Sequence, residues 1–234
     1  MDQRPIIEMR GLRHAVDGVE ILRGLDLEVS ERRIGIVGRN GSGKTTLARA
    51  LCGLVDIQGH LRVAGVDVAR DRRGALGAVG LLFQNPDHQI IFPTVAEELS
   101  FGLRQQGLAR DAVSDRVART LSAFQRSDWA DRSIHDMSHG QKQLVCLMAI
   151  LAMAPEVVVL DEPFAGLDIP LRMRLARVLD GIGSAVVHIS HAPEDLLGCD
   201  RVIWLEDGRI AADGGPAVLS DYAAHMRKLG ETEC

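Results

Sequence analysis

Alternating apolar and polar positions open the chain and then give way to helical spacing. Residues 6–16 (IIEMRGLRHAV), 20–29 (EILRGLDLEV) and 33–38 (RIGIVG) read as strands, the first two half-buried. A glycine-rich turn and a helix-forming run follow in RNGSGKTTLARALCGLV, then a hairpin pattern in GHLRVAGVDV and a strand in AVGLLFQ. From Asn85 to Pro155 the pattern is helical. RDAVSDRVARTLSAF repeats apolar residues three and four apart, and SHGQKQLVCLMAILAMA begins with a capping-type serine and stays apolar. Strand signals return in EVVVLDE, AVVHIS and RVIWLEDGRI, with the helical IPLRMRLARVLDGI between the first two. This order predicts an α/β core, residues 1–84 and 156–234, interrupted by a helical subdomain over 85–155. An antiparallel β layer is expected near the N-terminus.

Composition narrows the picture. A chain of 234 residues buries roughly 70% of its unfolded surface and supports its own core. The net charge is −5 with the charges interspersed, so nothing electrostatic points to a nucleic-acid partner. Cys52, Cys146, Cys199 and Cys234 stand apart in no CxxC spacing, which reads as reduced thiols in a cytosolic protein. The opening MDQRPIIEMRG lacks the basic-then-apolar layout of a signal peptide. The longest wholly apolar run, Leu144 to Ala154, has 11 residues where a spanning helix needs about 20. It reads as a buried helix.

Chemistry concentrates in two motifs. GRNGSGKTT, comprising Gly38, Arg39, Asn40, Gly41, Ser42, Gly43, Lys44, Thr45 and Thr46, fits GxxxxGK[ST] and lies between a strand and a helix. Its glycines let the backbone wrap a phosphate chain with N–H groups pointing inward. Lys44 brings a mobile charge to the β- and γ-phosphates of ATP, and the Thr45 hydroxyl can ligate Mg²⁺. VVVLDE ends an apolar strand in two carboxylates. Asp161 is then delivered to the carboxyl edge of the sheet beside the phosphate loop, where it can hold Mg²⁺ through water. Glu162 is placed to orient or deprotonate the attacking water.

Further motifs, in order along the chain, resemble those of ABC-type ATPases. MSHGQKQ (residues 137–143) resembles their LSGGQ signature, AGLD ending at Asp168 their D-loop, and HISHAPED with His191 their switch histidine. Gln84 stands where their Q-loop glutamine would be. The resemblance covers nearly the whole chain and implies a P-loop NTPase core with an inserted helical subdomain carrying the signature. It also implies that Ser138, Gly140 and Gln141 complete the ATP site of a second chain, head to tail, so a homodimer with two sites is expected, with a heterodimer with a related ATPase as the alternative. Gln84 would join Thr45 and Asp161 at the metal, Asp168 the nucleotide site, and His191 the γ-phosphate and the attacking water. His188, inside its strand, reads as packing.

The sequence departs from that pattern twice. His139 stands where the signature usually has glycine. His139 and His135 are four apart, yet no third ligand is nearby in sequence, which argues against a metal pair. Where the family stacks an aromatic ring on adenine, RHAVDGVEIL places Val16, with His14 beside it.

FQNPDHQIIFPTVAEELSFG resembles the FQNPxxQ…PTVxE…FG pattern of energy-coupling factor (ECF) ATPases, which power bacterial vitamin and metal-ion uptake. On that resemblance Ile90, Ile91 and Phe92 line an apolar groove next to Gln84 for a membrane partner, and Glu97 and Glu98 receive its basic residues. The implied partners are a transmembrane scaffold and a solute-binding membrane subunit, with the chain peripheral on the cytoplasmic face of a bacterial membrane. HGQKQLVCLMAILAMAPEVVVLDEPFAGLDIP resembles the ATPase of biotin uptake; cobalt- or nickel-uptake ATPases share most of these motifs. A repair or translation ATPase is the alternative class, but only 117 residues separate Lys44 from Asp161, which leaves no room for a coiled-coil arm. An exporter or lipid-transport ATPase is a further alternative, against which NPDHQIIFPTV argues.

Overall fold

The computed structural model describes residues 5–232. Two sheets organise it. The first is antiparallel, in the order β2-β1-β4-β5, with β1 at Ile7–Val16, β2 at Val19–Val29, β4 at Gln58–Val63 and β5 at Val66–Asp67. The second is in the order β10-β9-β3-β8-β7-β6. Its strands β3 (Arg33–Val37), β6 (Val79–Leu82), β7 (Val157–Asp161), β8 (Ala185–Ser190) and β9 (Arg201–Glu206) run parallel. Strand β10 (Arg209–Gly214) pairs antiparallel at the edge.

Strands β7 and β8, apolar apart from Asp161, His188 and Ser190, are buried at every position, as expected of parallel strands covered on both faces. Successive side chains serve opposite layers. Val157 and Val159 pack into a core with Leu12, Leu25 and Leu61 of the antiparallel sheet and Leu47 and Leu51 of α1 (Lys44–Leu51). Val158 and Leu160 face α5 (His139–Ala152) and α6 (Ile169–Gly181) through Cys146, Leu147, Leu175 and Leu179.

Between β6 and β7 the chain is helical. Helices α3 (Val95–Gln105), α4 (Arg110–Ala123) and α5 close on a separate cluster that includes Leu99, Leu103, Val117, Leu121, Leu144 and Met148. Thus α5 serves two cores, which is why it is apolar nearly all round. Among the described helices none is long and apolar enough to cross a membrane. Cys52, Cys146 and Cys199 are unpaired, and Cys234 lies outside the described residues.

Two helices go beyond the sequence reading. Helix α2 (Arg72–Ala78) is one short segment capped by Asp71, whose carboxylate accepts from Gly74 N. Helix α7 (Ala217–Thr232) packs Val218, Leu219 and Tyr222 on Val37 and Val202. Its apolar spacing was present in the sequence.

Candidate nucleotide site

The phosphate loop leaves β3 at Val37 and enters α1 at Lys44. A side chain at Gly38 would collide with Leu205 O and Ser42 Oγ, so the loop can close there only on glycine. Gly43 takes φ 102° as the N-cap of α1 and supplies no side-chain cap, leaving the first-turn amides open to an anion. Among the described residues the buried Ser42 hydroxyl has no partner.

Lys44 is buried, and its Nζ donates to Gly38 O at 2.7 Å and Arg39 O at 2.9 Å. Burial lowers its pKa, opposed by the charges of Glu162 and Asp161. Asp161 ends β7, also buried. Burial raises its pKa, while a hydrogen bond with the Thr45 side chain works against that rise. Among the described residues its Oδ1 has no partner. A buried carboxylate oxygen beside a hydroxyl is a donor set that suits a hard divalent cation such as Mg²⁺, and that cation would resolve an otherwise costly orphan.

Glu162 follows in the left-handed region at φ 51°, with its N–H donating to Ile189 O at 3.0 Å. This twist turns its side chain toward the end of β8. There Oε1 accepts from His191 N at 2.9 Å and from His191 Nδ1 at 2.7 Å. With Nδ1 donating, a neutral His191 ring keeps its lone pair on Nε2. The Ser190 hydroxyl lies 3.4 Å from Glu162 Oε2 and 3.0 Å from Asp195 Oδ2, and Asp195 is paired with Arg172. Ser190, Asp195 and Arg172 escaped the sequence reading; the only signal was the position of Ser190 beside His191. His188 is buried edge-on to Phe164, with a pKa pushed down to about 4 by burial.

Loop, strand-end and switch residues therefore meet in one chain. The signature does not join them: among the described residues, Ser138, Gly140 and Gln141 make no hydrogen bond to this group. Ser138 caps α5, accepting from Gln141 N, while Gln141 Oε1 accepts from Ser138 N at 3.1 Å and from Arg132 at 3.4 Å. The Gln141 side chain is thus committed to the cap. His139 is the first residue of α5, whereas His135 lies in the preceding 3₁₀ turn. Gly140 packs so closely on Leu171 of α6 that no side chain fits there without moving Leu171. Asp168 caps α6, accepting from Leu171 N at 2.9 Å.

Beyond Gln84, which is exposed, the structure redistributes the expected groove residues. Ile91 is 67% exposed, Phe92 is half-buried against Phe101, and Ile90 packs against two cores. Glu98 corrects the expectation of a receptor for basic residues. It is buried, and its Oε2 accepts from Ile91 N and Phe92 N, both at 2.9 Å. The exposed carboxylate is Glu97, which accepts from its own cap, Thr94 Oγ1, at 2.7 Å. On the hairpin between β1 and β2, Val16 and Val19 pair across the Asp17-Gly18 turn, 50% and 59% exposed. The Nδ1 of His14 donates to Asp56 O at 2.6 Å.

A glycine loop on a helix N-terminus, a lysine over it and a Glu–His pair at the adjoining strand ends define a nucleotide-hydrolysing P-loop protein, an ATPase. The chain belongs to the ABC transporter family, whose model matches residues 22–165. It is 54% identical to the biotin transport ATP-binding protein BioM of Rhodobacter capsulatus, over 91% of this chain and 92% of that protein. BioM of Rhizobium etli is 38% identical over 82% and 86%. Among solved structures, cbiO1 of Clostridium perfringens, part of the ABC transporter complex cbiONQ, superposes with a TM-score of 0.78. It is 28% identical, covering 97% of this chain and 94% of that one.

Proposed function

We propose that this chain is the ATP-hydrolysing subunit of an ECF-type uptake transporter for biotin, peripheral on the cytoplasmic face of a bacterial membrane. The observation that carries the hydrolytic part is the Glu162–His191 contact beside Lys44 and Asp161. Similarity to two BioM proteins supports the solute. Similarity to cbiO1, part of the ABC transporter complex cbiONQ, supports assembly with further transporter subunits, and a cobalt or nickel transporter is the second reading on the shared motifs.

Mg²⁺, held by Thr45, Asp161 and Gln84, would neutralise charge on the β,γ-phosphate oxygens. Lys44 would exchange its carbonyl partners at Gly38 and Arg39 for those oxygens. His191 fixes one oxygen of Glu162, leaving the carboxylate aligned to take a proton from water. As water attacks the γ-phosphorus, its proton passes to Glu162 and the bond to the ADP oxygen breaks. Phosphate and ADP leave, and Glu162 returns the proton to solvent.

Ser138 and the amide of Gly140, at the capped start of α5, would face the γ-phosphate of a second copy. The signature's isolation from its own Lys44–Glu162 group supports that trans arrangement. We assign residues 85–155 to the helical subdomain and the rest to the ATP-binding core, with the Gln84–Phe92 surface toward a transmembrane scaffold and a solute-binding subunit. The experiment is purification of the tagged chain from its native membranes in mild detergent, followed by labelled-biotin uptake in vesicles. ATP-dependent biotin uptake that Lys44→Ala abolishes is the expected result. Cobalt or nickel uptake instead would replace the solute, and recovery of no membrane subunit would overturn the transport reading.

A further inference from the structure

Strand β6 stops one residue short of the site. Its parallel register with β7 ends at Leu82↔Leu160, so Phe83 is the residue that would have paired beside Asp161. Instead, Phe83 N–H donates to the side-chain Oε1 of Gln89 at 3.1 Å. Its carbonyl accepts from Nε2 of Gln143 at 3.1 Å. Two side-chain amides thereby replace the strand partner, and the peptide that leads into Gln84 leaves the sheet at the level of Asp161.

The two amides come from different places. Gln89 follows the 3₁₀ turn Pro86–His88 in the exposed segment after Gln84. Gln143 lies on α5, one turn beyond the signature cap, and is 2% exposed. A buried amide is costly unless it is hydrogen-bonded. A second tie runs parallel to them: Lys142 pairs with Asp87 at 2.8 Å, a half-exposed contact that aligns the same two segments. Any displacement of the exposed segment or of the signature helix must therefore move Phe83, and Gln84 with it.

We propose that Gln89 and Gln143 are positioning residues that clamp the Phe83 backbone, one at its N–H and the other at its C=O, and so set where Gln84 stands relative to Asp161. The clamp reports both the surface segment and the signature helix to the metal side of the site. The inference rests on the ATPase reading for its catalytic consequence, but the clamp itself is testable without it.

Two variants test it, Gln143→Met and Gln89→Met, made in the intact transporter complex. Methionine matches the length of glutamine, and among the described residues Gln143 Oε1 has no partner, so the first change removes one hydrogen bond and one buried orphan. Amide exchange is measured at Phe83, with kcat, ATP affinity and Mg²⁺ half-saturation alongside. Gln89→Met is expected to speed Phe83 exchange by about tenfold or more, as a lost local bond would. Gln143→Met is expected to lower kcat by about tenfold and raise Mg²⁺ half-saturation, with ATP affinity within about twofold and Tm little changed. The double variant should be no worse than the poorer single one if the two bonds act as one clamp, since each holds one side of the Phe83 backbone. Unchanged Phe83 exchange would overturn the clamp. Unchanged kcat and Mg²⁺ dependence, or a fall that merely tracks Tm, would overturn its positioning role. A wild-type complex that binds no ATP, with Phe83 exchange still slowed by Gln89, would instead sink the ATPase reading and leave the clamp standing.

Discussion

Nδ1 of His191 lies 2.7 Å from Oε1 of Glu162, and the backbone N–H of His191 donates to the same oxygen at 2.9 Å. Residues from the ends of two adjacent parallel strands thus share one carboxylate oxygen. The left-handed turn at Glu162 makes that possible, because it swings the side chain across to β8.

Glu162→Gln keeps an acceptor oxygen for His191 but no longer takes a proton. Turnover is expected to fall by roughly 10²–10⁴-fold, with ATP binding retained. Single-turnover kinetics beside equilibrium nucleotide binding make the check. Wild-type turnover in the variant would remove Glu162 as the base.

His188 makes the fold sensitive to acid. Its folded pKa is depressed from 6.5 to about 4 by burial, so between those values the unfolded chain binds a proton that the native one does not. Stability from this group is complete above pH 6.5 and declines as pH falls toward 4. The loss between pH 7 and pH 5 comes to about 2 kcal/mol. Urea unfolding of the wild type and of His188→Leu at both pH values isolates it: the variant should lose less on acidification. An equal loss in both would assign the acid sensitivity elsewhere.

Glu98 holds the backbone of Ile91 and Phe92 from inside the helical region. Glu98→Ala leaves two amide donors without their acceptor, a change of about 1–3 kcal/mol. Capture of membrane subunits by the variant is expected to weaken strongly while ATP affinity of the isolated chain stays near wild type. Undiminished capture would show that this segment's shape does not matter to docking.

Val16 and Val19 leave an aliphatic pair on the hairpin, two residues along β2 from Ile21, whose carbonyl packs on Gly43. Among the described residues His14 is tied through Nδ1 to Asp56 O, and residues 16–19 of the hairpin carry no aromatic ring. Val16→Tyr would supply one, worth about 0.5–1.5 kcal/mol of stacking, and calorimetry should read a severalfold gain in ATP affinity. No gain would place the base away from the hairpin.

Much of this molecule was legible in its residues, for identifiable reasons. The phosphate loop is contiguous, and its glycines are demanded by local backbone geometry, as at Gly38 and Gly43. Strands β7 and β8 announce themselves as apolar runs because both faces are covered. What escaped involves residues far apart in sequence. Glu98 looks like a surface carboxylate on a helix's first turn until Ile91 and Phe92 of the preceding loop fold back onto it. Gln143 looks like a stray polar residue until α5 is laid beside the end of β6.

The sequence by itself therefore determined the class of chemistry, the order of the elements and which residues end the strands at the site. Local patterns and backbone sterics suffice for these. Only the tertiary structure decided which oxygen His191 binds, that Glu98 is an internal brace, and that two glutamines stand in for a strand. Those choices depend on which buried donors and acceptors are left over when the layers pack. No run of consecutive residues carries that information.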